Sequence, residues 1–286
     1  MLFRSPYECA FTGHCWQHVP EEGAVFELAG KGADCYQMYH GGITKLKDIP
    51  LDLVKGKQRQ QVEAAKKKQT IVNKEGLQDF LDSLWYPLCF LDFETFMKAV
   101  PSYNGQRPYQ QIPFQFSLHI QKKPGGRLYH HEYLAPPNVD PREQLLEHLL
   151  EAIPEDACIL AYHMSFERDR LNELAAMYPR KKKRIQRLID NMIDLIVPFR
   201  SRHLYRWKQK GSHSIKAVLP AFVKDLNYDD LEIGDGGAAM QAYHEMCALA
   251  DRPKKLARLR KHLLAYCRQD TLAMVRLLKV ISERAR

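Results

Sequence analysis

The spacing of hydrophobic and polar positions changes period several times along the chain, and each change marks an element. Residues 87–94 (PLCFLDFE) form an apolar run that ends in acids and read as a buried strand. Over residues 112–120, Phe114, Phe116, Leu118 and Ile120 alternate with Gln115, Ser117 and His119, the period-two mark of a second strand. A Pro124-Gly125-Gly126 turn predicts a return strand over 127–134. Asp140, Pro141 and Glu143 make a good helix start, and that helix runs to about Ile153. A short apolar strand at 158–163 precedes a helix over 166–178, with Phe166, Leu171 and Leu174 on one face and Pro179 as its stop. A basic helix over 181–191, a short strand at 192–197 and a helix capped by Ser212 or Ser214 follow. After a loop at 234–237, residues 238–249 and 253–286 are helical in pattern.

Short connections make the first three strands antiparallel, whereas the fourth follows a helical crossover and should run parallel to its neighbour. The expected fold class is therefore α/β: a mixed sheet flanked by helices over residues 85–286. Upstream, residues 1–50 are dense in Cys, His, Gly and Pro and look too thin to bury a core of their own. Residues 51–84 read as a helical linker. The 57–68 stretch looks solvated, and Asn73 caps a helix carrying Leu77, Phe80, Leu81 and Leu84.

Composition adds exclusions. Hydrophobic content of 45% and charged content of 27% are those of a globular chain, not a disordered one. No apolar stretch is long enough for a membrane span, and residues 1–11 lack a signal-peptide core, so a cytoplasmic setting is expected. Seven cysteines without a secretory signal suggest reduced thiols or metal ligands. The net charge of +9 is concentrated: residues 180–210 hold eleven basic and two acidic side chains, and the remainder is neutral. A polyanionic partner is implied.

Three places carry chemistry. Asp92 and Glu94 stand two apart on a strand, so both carboxylates share one sheet face. Two buried like charges need a cation between them, and hard oxygen donors select Mg²⁺ or Mn²⁺; alternatively the strand ends at Asp92 and both are solvated. Tyr266 and Asp270 are stacked at i, i+4 on an inward helix face beside Leu263, Met274 and Leu277; a core tyrosine with an ion-paired aspartate is the other reading. Glu167 falls on the first turn of its helix, where the dipole alone would favour it.

Together, LDFET (91–95), YHMSFE (162–167) and YCRQD (266–270) resemble, in order, the three motifs of the DEDD superfamily of DnaQ-like 3′–5′ exonucleases, tyrosine subtype. The resemblance implies a ribonuclease H-like fold and a metal-dependent 3′–5′ exonuclease acting on single-stranded DNA or RNA. It implies that Asp92, Glu94, Glu167 and Asp270 hold two Mg²⁺ or Mn²⁺ ions and that Tyr266 orients the attacking water. Two such ions, about 3.5–4 Å apart, activate a water and stabilise the leaving oxygen. Glu167 stands where the family has aspartate, His163 where it commonly has asparagine, and Asp194 where many members carry a further acid, here either a supporting residue or a structural one.

For the substrate, Arg107 lies in a polar loop at 104–111, and Phe93 and Phe96 offer stacking surfaces, although period two turns Phe93 to the opposite, core side. Lys216 follows a helix start suited to phosphate. Arg202, Arg206 and Lys208 alternate with Tyr205 and Trp207 in what reads as a loop fit for single strands. Cys9 and Cys15, with Cys35 as a third candidate, resemble the cysteine-bearing tail of RecB-type nucleases. That resemblance implies an incomplete iron–sulfur site completed by an upstream RecB-type domain or chain; the cysteine spacing by itself is too loose to identify a zinc site, and free thiols are the alternative. Cys89, Cys158 and Cys267 read as apolar core residues. Two further functional classes stay open: a nucleic-acid-binding module that cleaves weakly, and an interaction domain of a larger repair or defence nuclease.

Overall fold

The computed structural model describes residues 10–228 and 230–286. In chain order the longer elements are α1 (Thr12–Cys15), α2 (Cys35–His40), α3 (Gly56–Lys67), β1 (Thr70–Val72), α4 (Lys74–Asp82), β2 (Leu88–Phe96), β3 (Ile112–Gln121), β4 (Leu128–Leu134) and α5 (Arg142–Ala152). They continue as β5 (Cys158–Ala161), α6 (Ser165–Met177), α7 (Lys182–Asp190), β6 (Met192–Asp194), α8 (Val197–Arg200), β7 (Leu204–Arg206), α9 (Ile215–Phe222), α10 (Gly236–Ala248) and α11 (Pro253–Ala285).

Five strands form one mixed sheet in the order β4-β3-β2-β5-β6. β2, β3 and β4 are antiparallel, and β5 and β6 run parallel to β2. The α/β class, the antiparallel start and the parallel fourth strand all match the expectation from pattern. β2 is buried along nearly its whole length because both sheet faces are covered. On one face, Leu91, Phe93, Phe116 and Leu118 pack against α5, α6 and α7. On the other, Leu88 and Phe90 pack against α4, α9 and α11, and farther along Phe114 stacks on Tyr243 of α10 at 4.0 Å. Among the described residues no helix is long and apolar enough to cross a membrane.

The segment before β2 is more tightly bound in than a linker. Asn73 caps α4 as expected, its Oδ1 accepting from the Gly76 amide at 3.1 Å, and α4 buries Leu77 and Phe80. The 57–68 helix is not solvated: α3 buries Gln58, Gln61, Val62 and Ala64. Val62 and Val54 close a small core made mostly by Val25, Leu28, Met38, Leu46 and Ile49, so the described residues before 50 supply most of that core themselves. Between the two helices, β1 pairs antiparallel with β7, Thr70 opposite Arg206 and Val72 opposite Leu204.

A crevice of carboxylates at the end of the central strand

β2 outruns its parallel neighbour. β5 registers only with Leu88–Phe90, so the stretch from Asp92 onward borders an opening beyond the carboxyl end of β5. In open α/β sheets such an opening, where the chain turns to opposite sides of the sheet, is where ligands bind. Here it is a cleft of about 430 Å³ whose lining includes Asp92, Glu94, Thr95, Gln111, His163, Phe166 and Glu167.

Each acid arrives by a separate route. Asp92 and Glu94 share the face of β2 that looks toward α11, opposite Ser117 and Gln115 of β3. Glu167 comes from the first turn of α6. The turn that aims it is unusual: His163 sits at φ 68, a left-handed conformation costly for a residue with a Cβ. Asp194 holds that turn, accepting from the His163 amide at 2.9 Å and the Ile196 amide at 3.2 Å. The supporting role expected of Asp194 is therefore a structural one. Asp270 lies buried on α11 and accepts from the Tyr228 hydroxyl at 2.6 Å.

The carboxylates feel one another. Burial, then Asp270, Glu94 and Glu167, push Asp92 well above the usual carboxylate range. Glu94 is raised by burial and by Asp270, against partial relief from Lys216. Burial, with Asp194 and Asp270 adding to it, raises Glu167 to about 8. Asp270 rises only to about 6, because hydrogen bonds from Tyr228 and Tyr266 and the Lys216 charge oppose its burial. Glu167 Oε2 is buried without a hydrogen-bond partner, an arrangement that is costly unless something positive reaches it.

Asp92, Glu94 and Glu167 thus line one crevice, while Asp270 is not among its lining residues but lies close enough for its charge to raise all three. Tyr266 is buried beside Asp270, and its ring packs in the cluster that includes Phe96 and Tyr243. Lys216 is close by, its ammonium 5.8 Å from the Tyr228 ring and 5.9 Å from the Tyr266 ring, donating to the Gly234 carbonyl at 2.6 Å. Ser214 occupies the N-cap position of α9, but its side chain makes no capping bond. Phe93 is in the core, as period two favoured, and Phe96 is only 1% exposed against Tyr243 and Tyr103. Phe166 lines the crevice instead of joining the core face of its helix.

Two site neighbours escaped the sequence reading. Cys267, taken as an apolar residue, places Sγ 3.5 Å from Asp92 Oδ2, and its ligand atom lies within 4.8 Å of those of Asp92 and Glu94. Its position, between Leu263 and Met274 on the inward stripe of α11, was the signal. Tyr228 lies in an irregular loop with no periodic mark.

The basic segment needs correction. Arg202 is buried, its guanidinium 4.4 Å over the Tyr205 ring and its Nη2 3.4 Å from Gln61 Oε1, because α3 covers it. Tyr205 is only 2% exposed and cannot stack a base. Arg206 spends Nη1 on the Ala221 carbonyl at 2.7 Å. What read as a loop is α8, β7 and a turn of 3₁₀ helix, Trp207–Gln209. Of the three cations only Lys208 is exposed, over Trp207 at 5.9 Å. Arg107 is exposed and lies 3.4 Å from Glu173. Cys9 lies outside the described residues; Cys15 is exposed and Cys35 half-buried. Among the described residues, the N-terminal segment brings no three ligand atoms together.

No solved structure matches the chain. An uncharacterised protein of Mycoplasma genitalium, MG366, is 25% identical over 211 residues, covering 68% of this chain and 32% of that protein. Its Mycoplasma pneumoniae homologue, also uncharacterised, is 25% identical over 214 residues with the same coverage. The chain thus spans about a third of the length of these relatives. Residues 89–214, from β2 to the threshold of α9, match the model of the Domain of unknown function (DUF2779), so the first two acidic motifs fall inside the match and Tyr266 and Asp270 beyond it.

Proposed function

We propose that the chain is a divalent-metal-dependent phosphodiesterase, a 3′–5′ exonuclease on single-stranded DNA or RNA. One observation carries this reading: Asp92, Glu94 and Glu167 line a single crevice, each is raised by burial and by the charge of Asp270 beside them, and Glu167 keeps a buried oxygen without a partner. Nearby cations offset only part of this repulsion, Lys216 at Glu94 and Asp270 and Arg170 at Glu167. Hard oxygen donors in such a set fit Mg²⁺ or Mn²⁺. Asp92, Glu94, Glu167 and Asp270 would hold the ions, which when bound supply positive charge and an acidified water. The protein's own groups do the positioning: Asp194 fixes the turn ahead of Glu167, and Tyr228 and Tyr266 orient Asp270. The 3′–5′ polarity of the proposed cleavage comes from the resemblance of the three motifs to those of the DEDD exonucleases alone. A RecB-type partner domain upstream belongs to the same proposal.

The test is direct. Single-stranded DNA and RNA labelled at the 5′ end are incubated with the protein in Mg²⁺ or Mn²⁺. Shortening from the 3′ end, abolished in Asp92→Asn, is the expected result. Intact oligonucleotides in both metals, with protein shown to be folded, would refute it. Glu167, a methylene longer than the aspartate of the resemblance, favours a second reading, a binding module, and binding without cleavage would select that one.

A further inference from the structure

A second groove adjoins the crevice. It has a volume of about 470 Å³, within the range of small-ligand sites, and lies between the loop that ends at Gln111, the start of β3 and α6. Gln111 lines both spaces and forms the sill between them, its Oε1 accepting from Thr95 Oγ1 at 2.5 Å. Across the sill, Phe166 on the crevice side lies under the Arg170 guanidinium at 5.1 Å, and Arg170 lines the groove. Aromatic face, cation and groove follow one another along a single helix.

The charge of the groove is unbalanced. Arg142 is settled, donating to both oxygens of Asp140, at 2.9 and 2.6 Å. Arg107 and Arg170 instead share one carboxylate, Glu173, through contacts of 3.3–3.4 Å. Two guanidinium groups on one acid leave a surplus positive charge at the groove, of which Arg170 also lends part to Glu167, and long contacts are weakly committed. Phosphate oxygens, which arginine grips through paired hydrogen bonds, complement that surplus. The apolar part of the lining includes Met177, whose side chain is exposed and offers a surface against which a base can lie. In residues 200–210, the other basic candidate, Arg202 is buried out of reach of a ligand and Arg206 donates to the Ala221 carbonyl.

We infer that a single strand engaged at the carboxylates continues over Gln111 into this groove, where Arg107 and Arg170 take its phosphates. The inference rests on the proposed nuclease reading. Binding is measured by fluorescence anisotropy in the Asp92→Asn background, with a labelled oligothymidylate of about a dozen nucleotides, the length scale of single-strand sites. Arg107→Ala with Arg170→Ala should raise Kd roughly tenfold and reduce the slope of log Kd against log salt by about 1.4, two single-strand phosphate contacts. Arg107→Glu alone, at an exposed side chain that bears no fold, should shift Kd in the same direction. Lys182→Ala with Lys183→Ala, exposed on α7, should leave both quantities unchanged. The groove is overturned if the arginine variants keep the parent slope, or if the α7 pair lowers it as much. A folded parent that binds no strand at all overturns the nuclease reading along with it.

Discussion

Two polar patches lie on the same face of the sheet, on adjacent strands and under the same helix, yet they are built on opposite terms. On β3 and β4, Ser117, His119 and His130 meet Thr271 of α11: Ser117 Oγ is 2.7 Å from Thr271 Oγ1 and 2.9 Å from His130 Nε2, and His119 Nδ1 is 2.8 Å from the same threonine. Burial, with their mutual proximity and Arg268 helping, holds His119 down at about 3, and burial and Arg268 hold His130 at about 4, so both rings are neutral near pH 7. One residue away on each element, Asp92 faces Ser117 across the strands and Asp270 precedes Thr271. There the groups are alike in sign, raised by one another, and one oxygen is left unpaired. A satisfied buried network specifies packing; an unsatisfied one of a single sign stores a demand for a counter-charge. The difference separates polar residues that hold the fold from those that call for a counter-charge.

The largest effect expected to test this contrast is on turnover. Metal-assisted charge stabilisation is worth several kcal/mol, so Asp92→Asn should lower cleavage about a thousandfold. In chelator the same variant should melt higher than the parent, since a repulsive charge is gone. A variant that loses both activity and stability would place Asp92 with the structural patch instead.

Thr271→Val should act the other way round, costing about 1–3 kcal/mol of stability by stranding Ser117 and His119. In denaturant melts the midpoint should fall, while cleavage by the folded fraction persists.

The two patches also titrate in opposite directions. His119 and His130 have folded values below the ordinary 6.5, so the unfolded chain binds more protons in that window. Their contribution is complete above about 6.5 and is lost as pH falls toward 4 and 3. Glu167 and Asp270 have folded values above their ordinary 4.5 and 3.8, so their contribution is present at low pH and lost as pH rises toward 8 and 6 respectively. Above 6.5 only the carboxylate slope remains. Without divalent ions, Tm should therefore fall between pH 6.5 and 8, and Mn²⁺ should flatten that fall. A flat metal-free profile would erase the contrast. The smallest effect expected is that of Tyr228→Phe, about 1 kcal/mol for one hydrogen bond, read as an upward shift in the Asp270 titration.

What the sequence disclosed depended on the range of the signal. Asp92 and Glu94 share a face because a strand has period two, and Tyr266 with Asp270 because a helix brings i and i+4 together; both are local geometry. The sheet followed from alternation in β3 and the apolar run of β2. Arg202 was misplaced because its burial is decided by Gln61 of α3, far away in sequence. β1 was missed for the same reason: three residues have no pattern of their own, and they are a strand only because β7 pairs with them. Cys267 was visible as an inward residue, but the thiol's closeness to Asp92 needed the packing of α11 on β2.

That pairing of β1 with β7 bears on how the protein can be handled. The hydrogen-bonding edge of Leu204–Arg206 is covered by Thr70–Val72, while Lys57 donates to the Arg200 carbonyl at 2.7 Å and Lys210 lies 3.8 Å from Glu27. A fragment cut ahead of Tyr86 would keep every acid of the crevice but bare a strand edge, and bare edges recruit other chains. The upstream residues thus act as a built-in guard against self-association, and soluble preparations of the region from β2 to α11 should carry them.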